Sequence, residues 1–135
     1  MKRILVLATA AAAMASGSVL AAASPTTIAF TSVQTHSTQT MSGFGSRDTD
    51  FQGTKRIGHD HIACVFTTRS TAACRAIVVL ATGAVKVRFT VGGSTRQGAL
   101  RVTGGTGAYA GATGTGSFKN LDRAGTRTAV TINLA

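Results

Sequence analysis

The sequence contains no glutamate and no tryptophan, and it has a single proline among 135 residues. Its four acidic residues are all aspartates, against 14 lysines and arginines, so the formal net charge is +10. The lack of glutamate weighs against enzymes built on paired glutamates and against multi-carboxylate metal cages. Glycine, in contrast, is abundant, with 16 residues. Few charges, many turn formers and little helix-favouring Glu or Lys indicate a β protein with tight turns.

The first 23 residues have the organisation of an export signal. Lys2 and Arg3 form a basic start, residues 4–15 are apolar, and residues 21–23 are small alanines of the kind that a signal peptidase recognises. The alternative is a membrane anchor, but small polar residues interrupt the stretch and no basic stop signal follows it. We therefore predict a secreted, extracellular protein that is cleaved after residue 23, with one domain over 24–135 and no membrane span after cleavage.

Alternating apolar and polar residues predict strands along the rest of the chain. The clearest alternation covers 85–91 and 129–134, and a shorter one covers 100–102. The polar segment 40–50 shows no such alternation, although a strand ending near Phe51 is compatible with it. Glycine-rich turns recur about every ten residues, which is typical of an antiparallel sandwich or barrel. We count about eight short strands, enough to close a barrel whose interior holds side chains or one small ligand.

Residues 59–80 form the clearest predicted hairpin. A turn centred on Arg69 places Cys64 directly opposite Cys74 on the same face as other inward residues. A disulfide between them would close a short loop and stabilise the fold by roughly 2–3 kcal/mol in the chain-entropy model. The alternative is a pair of free thiols, which exported proteins seldom keep.

A glycine-rich segment over 102–116 is the most distinctive part of the sequence. Its glycines imitate a dinucleotide-binding fingerprint, but only 19 residues follow Gly116 and they have the pattern of a strand rather than a helix. We therefore interpret the segment as a structural turn that lets the chain re-enter the sheet, with Tyr109 packed over its backbone. The glycines assigned to this turn are Gly104, Gly105, Gly107 and Gly111.

Three features together resemble the allene oxide cyclase barrel-like family, whose fold dirigent proteins share. They are the segment 53–60 (GTKRIGHD), the two cysteines, and the segment 102–112 (VTGGTGAYAGA). The resemblance covers 44–134 and implies an all-β, eight-stranded antiparallel barrel with a central apolar cavity, here in a bacterial-type secreted member. It also implies relatives in plants that form trimers and either cyclise a fatty-acid epoxide or steer the coupling of phenols.

The family's catalytic residues do not carry over to this sequence residue by residue. Plant cyclases surround the epoxide with a glutamate and asparagines, whereas this sequence has no glutamate and places Asn120 and Asn133 near its end. Dirigent-type catalysis depends on aspartates in the cavity, for which Asp48, Asp50 and Asp60 are the candidates.

The run His59-Asp60-His61 is the one cluster in the sequence that suggests acid–base chemistry. Burial of Asp60 inside a barrel would raise its pKa, as a proton-transfer residue requires, although a structural role at the strand start is the alternative. His59 and His61 share the opposite face but lack a third metal ligand. We name Asp60, His59 and Tyr109 as candidate catalytic residues and predict no metal and no cofactor.

The excess of basic residues is scattered over predicted strands and loops. Such a surface attracts anionic polymers in a salt-dependent way, but without exposed aromatics for stacking we predict no specific nucleic-acid binding. Three functions are then open. We favour a module or scaffold that binds a small hydrophobic ligand; the alternatives are a cyclase or isomerase acting on a reactive hydrophobic intermediate, and a cationic surface-interaction protein.

Overall fold

The computed structural model describes residues 26–92 and 96–135, which form eight β-strands; the predicted export signal lies outside these residues. A single-turn 3₁₀ helix, Gly107–Tyr109, lies between the sixth and seventh strands. The strands are β1 Thr26–Gln39, β2 Gly43–Gln52, β3 Lys55–Phe66, β4 Thr71–Leu80, β5 Gly83–Gly92, β6 Gln97–Gly105, β7 Gly114–Asn120 and β8 Arg127–Leu134. In these residues no helix is both long and apolar enough to cross a membrane.

The strands close into an up-and-down antiparallel barrel. Each strand pairs with the next one along the chain, and β8 pairs with β1 to complete the ring. We call the end that carries the connections 40–42, 67–70 and 121–126 the mouth end, and the end that carries 53–54, 81–82 and 106–113 the far end. The eight-stranded antiparallel barrel predicted from the sequence is confirmed.

Alternation decides which side chains fill the barrel. In β4, β5 and β6 the inward positions are apolar, and they form one core cluster with residues of β1 and β8. The buried members of that cluster are Ile28, Phe30, Ala76, Val78, Val85, Val87, Leu100, Val102 and Ile132. Strand β2 differs, since its inward positions include the buried Asp48 and Asp50. The barrel interior is therefore apolar on one side and acidic on the other.

The predicted disulfide is present. Cys64 and Cys74 are directly opposite partners of β3 and β4, and their sulfur atoms are bonded. Both are buried in a small cluster with Ala72, against which Phe44 and Phe89 pack. The alternative of two free thiols is thereby excluded, because the described chain has no free cysteine.

The glycine-rich turn seals the far end of the barrel. Gly107 has a φ of +59°, and a Cβ added there would lie 2.5 Å from the carbonyl oxygen of Thr82. A Cβ on Gly105 would lie 2.5 Å from the carbonyl oxygen of Ala84. The Ala108 amide donates to the Thr82 carbonyl at 2.9 Å, which ties this turn to the β4–β5 connection. Only residues without a side chain allow so close a backbone approach.

Candidate functional site

A cavity of about 500 Å³ opens at the mouth end of the barrel. Its size falls within the range of pockets that hold small organic molecules. Most of the wall is apolar, with side chains from all eight strands, among them Phe30, Phe44, Ile62, Val87, Phe89, Leu100, Phe118, Val130 and Ile132. Arg69, Ser70 and Asn120 lie at the rim. The cavity suits an apolar molecule because burial of apolar surface supplies most of the binding energy there.

Four buried polar residues come together where β1, β2 and β3 meet. Ser32, Asp48 and Asp60 line the cavity, and Asp50 does not. The register explains the grouping, since Asp48 is opposite Asp60 across β2 and β3, and Asp50 is opposite Ser32 across β1 and β2. All four are buried, and Asp50 is 0% exposed. We call these four residues the acidic cluster.

The Ser32 hydroxyl bridges two of the carboxyl groups. Its Oγ lies 2.8 Å from Oδ2 of Asp48 and 2.8 Å from Oδ2 of Asp60. A hydroxyl has one proton to donate, so a second proton is needed if both contacts are to be hydrogen bonds. A protonated carboxyl group supplies that proton by donating to the Ser32 oxygen. The geometry therefore favours at least one proton on the acidic cluster.

Asp50 gives a separate reason to expect a proton on the acidic cluster. Neither of its carboxyl oxygens accepts a hydrogen bond, so the charged form would be buried without compensation. Burial, followed by the interaction with Asp60, raises the pKa of Asp50 to about 9. Burial also raises the pKa of Asp60 above its usual range. Because the two carboxyl groups interact, they titrate as a pair, and the pair holds a proton at neutral pH.

A carboxylic acid that stays protonated at neutral pH can donate a hydrogen bond or a proton to a bound molecule. The surrounding apolar wall strengthens that donation, since it lowers the local dielectric constant. Among the described residues, no group of three or more His, Cys, Asp or Glu side chains is arranged to hold a metal ion. What this arrangement offers is proton transfer within an apolar cavity.

Of the three residues named from the sequence as candidate catalytic groups, Asp60 lies in the cavity wall and the other two do not. His59 faces the outside of the barrel, where its ring centroid is 5.8 Å from that of His61. Tyr109 lies at the far end, and its hydroxyl accepts a hydrogen bond from Thr82 at 3.4 Å. The glycines of the predicted turn, Gly104, Gly105, Gly107 and Gly111, lie at or beside that end as well.

The family resemblance suggested Asp48 and Asp50 together with Asp60, and the structure brings all three together. Asn120 lies at the cavity rim, whereas Asn133 is exposed and accepts a hydrogen bond from Thr27. Sequence reasoning missed Ser32. A serine in a threonine-rich first strand gives no signal of its own, and only the pairing of β1 with β2 shows that it meets the carboxyl groups.

Comparisons with known proteins agree with the architecture. No family model matches the sequence, and no curated protein matches it. Among solved structures, pyocyanin demethylase superposes with a TM-score of 0.70 at 19% identity, covering 82% of this chain and 100% of that one. A pterocarpan synthase dirigent protein superposes with a TM-score of 0.63 at 12% identity, covering 83% and 95%.

A second pterocarpan synthase dirigent protein gives a TM-score of 0.61 at 14% identity, covering 82% of this chain and 88% of that one. Identities this low establish a shared fold and leave the activity open. The closed ring of eight antiparallel strands and these structural neighbours together show that the chain has a dirigent-like β-barrel fold.

Proposed function

We propose that the barrel binds a small, mostly apolar molecule that carries a hydrogen-bond acceptor, and that it isomerises or cyclises that molecule by proton transfer from Asp60. The observation that carries the proposal is the Ser32 hydroxyl held 2.8 Å from two buried carboxyl groups in the wall of an apolar cavity. A polar arrangement of this kind is costly to bury, and a cavity lined only by apolar residues would bind an apolar ligand without it.

The reaction needs no reagent beyond the bound molecule. Asp60, the member of the Asp50–Asp60 pair that lines the cavity, donates the proton held by the pair to the acceptor oxygen or nitrogen of the substrate, which weakens an adjacent bond and permits rearrangement. The carboxylate that remains then accepts a proton from the atom that becomes acidic in the rearranged product. Protons and electrons balance over the cycle, so the net change is an isomerisation. Ser32 holds the carboxyl group of Asp60 in position through its hydrogen bond.

The names of the structurally similar proteins support this class of substrate. One structural neighbour is named for a demethylation of pyocyanin, and two are named for the synthesis of pterocarpans. All three names refer to chemistry on small organic molecules. We place the reaction outside the cytoplasm, and the disulfide supports this placement because such bonds persist in oxidising compartments.

The second candidate function is binding without chemistry, as a carrier or scaffold. The observation that favours it is the extent of the apolar wall, which covers most of a cavity of about 500 Å³ and would hold a hydrophobic ligand on its own. Binding is common to both candidates, so the two differ only in what the acidic cluster does.

The experiment measures binding and turnover separately. Binding is measured by the displacement of a neutral fluorescent probe, N-phenyl-1-naphthylamine, by a panel of neutral aromatic ketones, quinones and epoxides. The same mixtures are analysed by chromatography and mass spectrometry for isomers, which are products with the same mass as the added compound. We expect micromolar binding and an isomer product for at least one compound. Asp60→Asn should keep the binding within about threefold and lower turnover by about 10²-fold or more, as loss of a general acid does.

Asp122→Asn is the matched control, since it makes the same change at a residue that does not line the cavity and should leave both readouts at the wild-type value. Turnover that survives in Asp60→Asn would remove Asp60 from the reaction. Binding with no product for any compound would leave the carrier function. Failure of every compound to displace the probe would contradict both candidates.

A further inference from the structure

The outer surface of the barrel carries a row of arginines that the proposed reaction does not use. Arg75 lies directly opposite Arg88 across β4 and β5, and Arg88 lies directly opposite Arg101 across β5 and β6. All three are exposed. Since neighbouring strands are about 4.8 Å apart, the three arginine side chains leave the sheet from backbone positions at about that spacing. We call Arg75, Arg88 and Arg101 the arginine ladder.

A parallel row of residues beside the ladder extends the basic surface. Arg47 and Lys86 are exposed on β2 and β5, and between them in register lie His61 and Ile77. Side chains from both rows line an outer groove of about 690 Å³, among them Arg47, Arg75, Lys86 and Arg88. The ladder and this groove form one continuous basic face over β2 to β6.

No acidic side chain neutralises this basic face. The sequence has four acidic residues, and the structure places Asp48, Asp50 and Asp60 inside the barrel. The fourth, Asp122, lies between β7 and β8, where it accepts hydrogen bonds from Thr126. Like charges directly opposite each other on a sheet destabilise it, by up to about 1 kcal/mol for each pair. A bound polyanion would remove that repulsion.

We propose that this basic face binds an acidic polysaccharide, a linear polymer that carries carboxylate or sulfate groups at regular intervals. The planar guanidinium group of arginine forms two parallel hydrogen bonds with such groups, and three arginines in a row can engage successive groups of one chain. The groove beside the ladder gives the polymer a path across the strands.

Two other classes of anionic partner fit the face less well. Single-stranded nucleic acid is usually held by base stacking on aromatic side chains, and none of the residues that line the groove is a phenylalanine, tyrosine or tryptophan. Duplex DNA is read by a helix or a two-stranded ribbon inserted in a groove, whereas this face is the flank of a closed barrel. Attachment to a lipid surface needs several apolar anchors, and Ile77 is the one large exposed apolar residue of the groove.

The test compares two triple variants that remove the same amount of charge. The ladder variant is Arg75→Gln, Arg88→Gln and Arg101→Gln. The control variant is Arg96→Gln, Arg123→Gln and Arg127→Gln, which changes three exposed arginines outside the basic face. Binding to polygalacturonate, which carries carboxylates, and to heparin, which carries sulfates, is measured against salt concentration for both variants and for the wild-type protein.

We expect the wild-type protein to bind at least one polysaccharide with a strong salt dependence. The ladder variant should bind about tenfold or more weakly, with a shallower salt dependence, because fewer counterions are released. The control variant should lose less than about threefold. The ladder variant should also melt at the wild-type temperature or above it, since repulsion has been removed; this shows that weaker binding does not come from misfolding.

Equal losses in the two variants would mean that net charge alone is responsible, and they would overturn the proposal. So would tighter binding to duplex DNA or to phosphatidylserine vesicles than to both polysaccharides, or no binding to either polysaccharide. The result is independent of the proposed reaction, because the ladder lies on the opposite side of the sheet from the cavity residues.

Discussion

Replacement of Asp50 by asparagine is the perturbation whose effect follows most directly from the structure. The substitution keeps the shape of the side chain and removes its acidic proton. In the folded protein Asp50 is 0% exposed, and burial raises its pKa to about 9 from an ordinary value of 3.8. The unfolded chain therefore releases this proton near pH 4, whereas the folded barrel keeps it until about pH 9.

The pH dependence of stability follows from that difference. Between the two pKa values the folded state binds one more proton than the unfolded state, so the free energy of unfolding falls as pH rises. The slope is about 1.4 kcal/mol per pH unit, which amounts to about 4 kcal/mol between pH 5 and pH 8. This is a large share of the 5–15 kcal/mol that typically stabilises a domain. The raised pKa of Asp60 adds to the fall in the same direction.

Urea denaturation followed by circular dichroism, at pH 5, 6, 7 and 8 and constant ionic strength, measures the slope. The free energy of unfolding of the wild-type protein should fall steadily over this range. The fall should be smaller in Asp50→Asn, by the contribution of one proton or about 1.4 kcal/mol per pH unit, and this variant should be the more stable protein at pH 8. Asp122→Asn serves as a control and should keep the wild-type slope, because interactions led by the hydrogen bond from Thr126 lower the pKa of Asp122. A wild-type stability that is constant or rises from pH 5 to pH 8, or an unchanged slope in Asp50→Asn, would refute the reasoning.

Three further variants test the framework by urea denaturation. Replacing Cys64 and Cys74 by alanine should lower the free energy of unfolding by about 3 kcal/mol, since it removes a short closed loop; no change would contradict this. Gly58→Ala should lower the free energy of unfolding by about 1–3 kcal/mol, because its Cβ would lie 2.1 Å from the Val79 carbonyl oxygen. Wild-type stability in this variant would contradict this expectation, because it would show that β3 and β4 accommodate the added Cβ without cost. Ser32→Ala should cost about 1–3 kcal/mol, because two buried carboxyl groups lose their shared partner; a stabilised variant would argue against the bridge.

Much of the framework could be predicted from the sequence because it depends on local patterns. The alternation over 85–91 predicted β5, and a symmetric turn about Arg69 predicted which residue faces Cys64. Glycines over 104–111 predicted a tight connection, since few other residues allow such close backbone approach. Each of these patterns is complete within one strand or one hairpin, so no knowledge of the closed barrel was needed.

The acidic cluster could be predicted only in part, because it depends on how separate strands come together. Strand β2 carries aspartates at inward positions and Arg47 and Thr49 at outward ones, so both faces are polar and the usual alternation is hidden. A usable signal was present, since Asp48 and Asp60 are equally distant in sequence from Thr54, which lies in the β2–β3 connection. The contact with Ser32 needs the long-range pairing of β1 with β2, which no local pattern specifies.

The placement of His59 and Tyr109 shows the same limit. Both were named for their chemistry, but the barrel directs His59 outward and holds Tyr109 at the end opposite the mouth. Which end of a barrel opens depends on how bulky side chains from all strands fill the two ends, and this information is spread over the whole chain.

The most direct test of this account is a carbon-13 NMR titration of the four aspartate side-chain carboxyl groups. Our account predicts that the Asp50 signal titrates near pH 9, that the Asp60 signal titrates above its usual range, and that the Asp122 signal titrates below it. Four signals that all titrate below pH 5 would show that the cavity wall holds no proton at neutral pH, and they would contradict the proposed proton transfer.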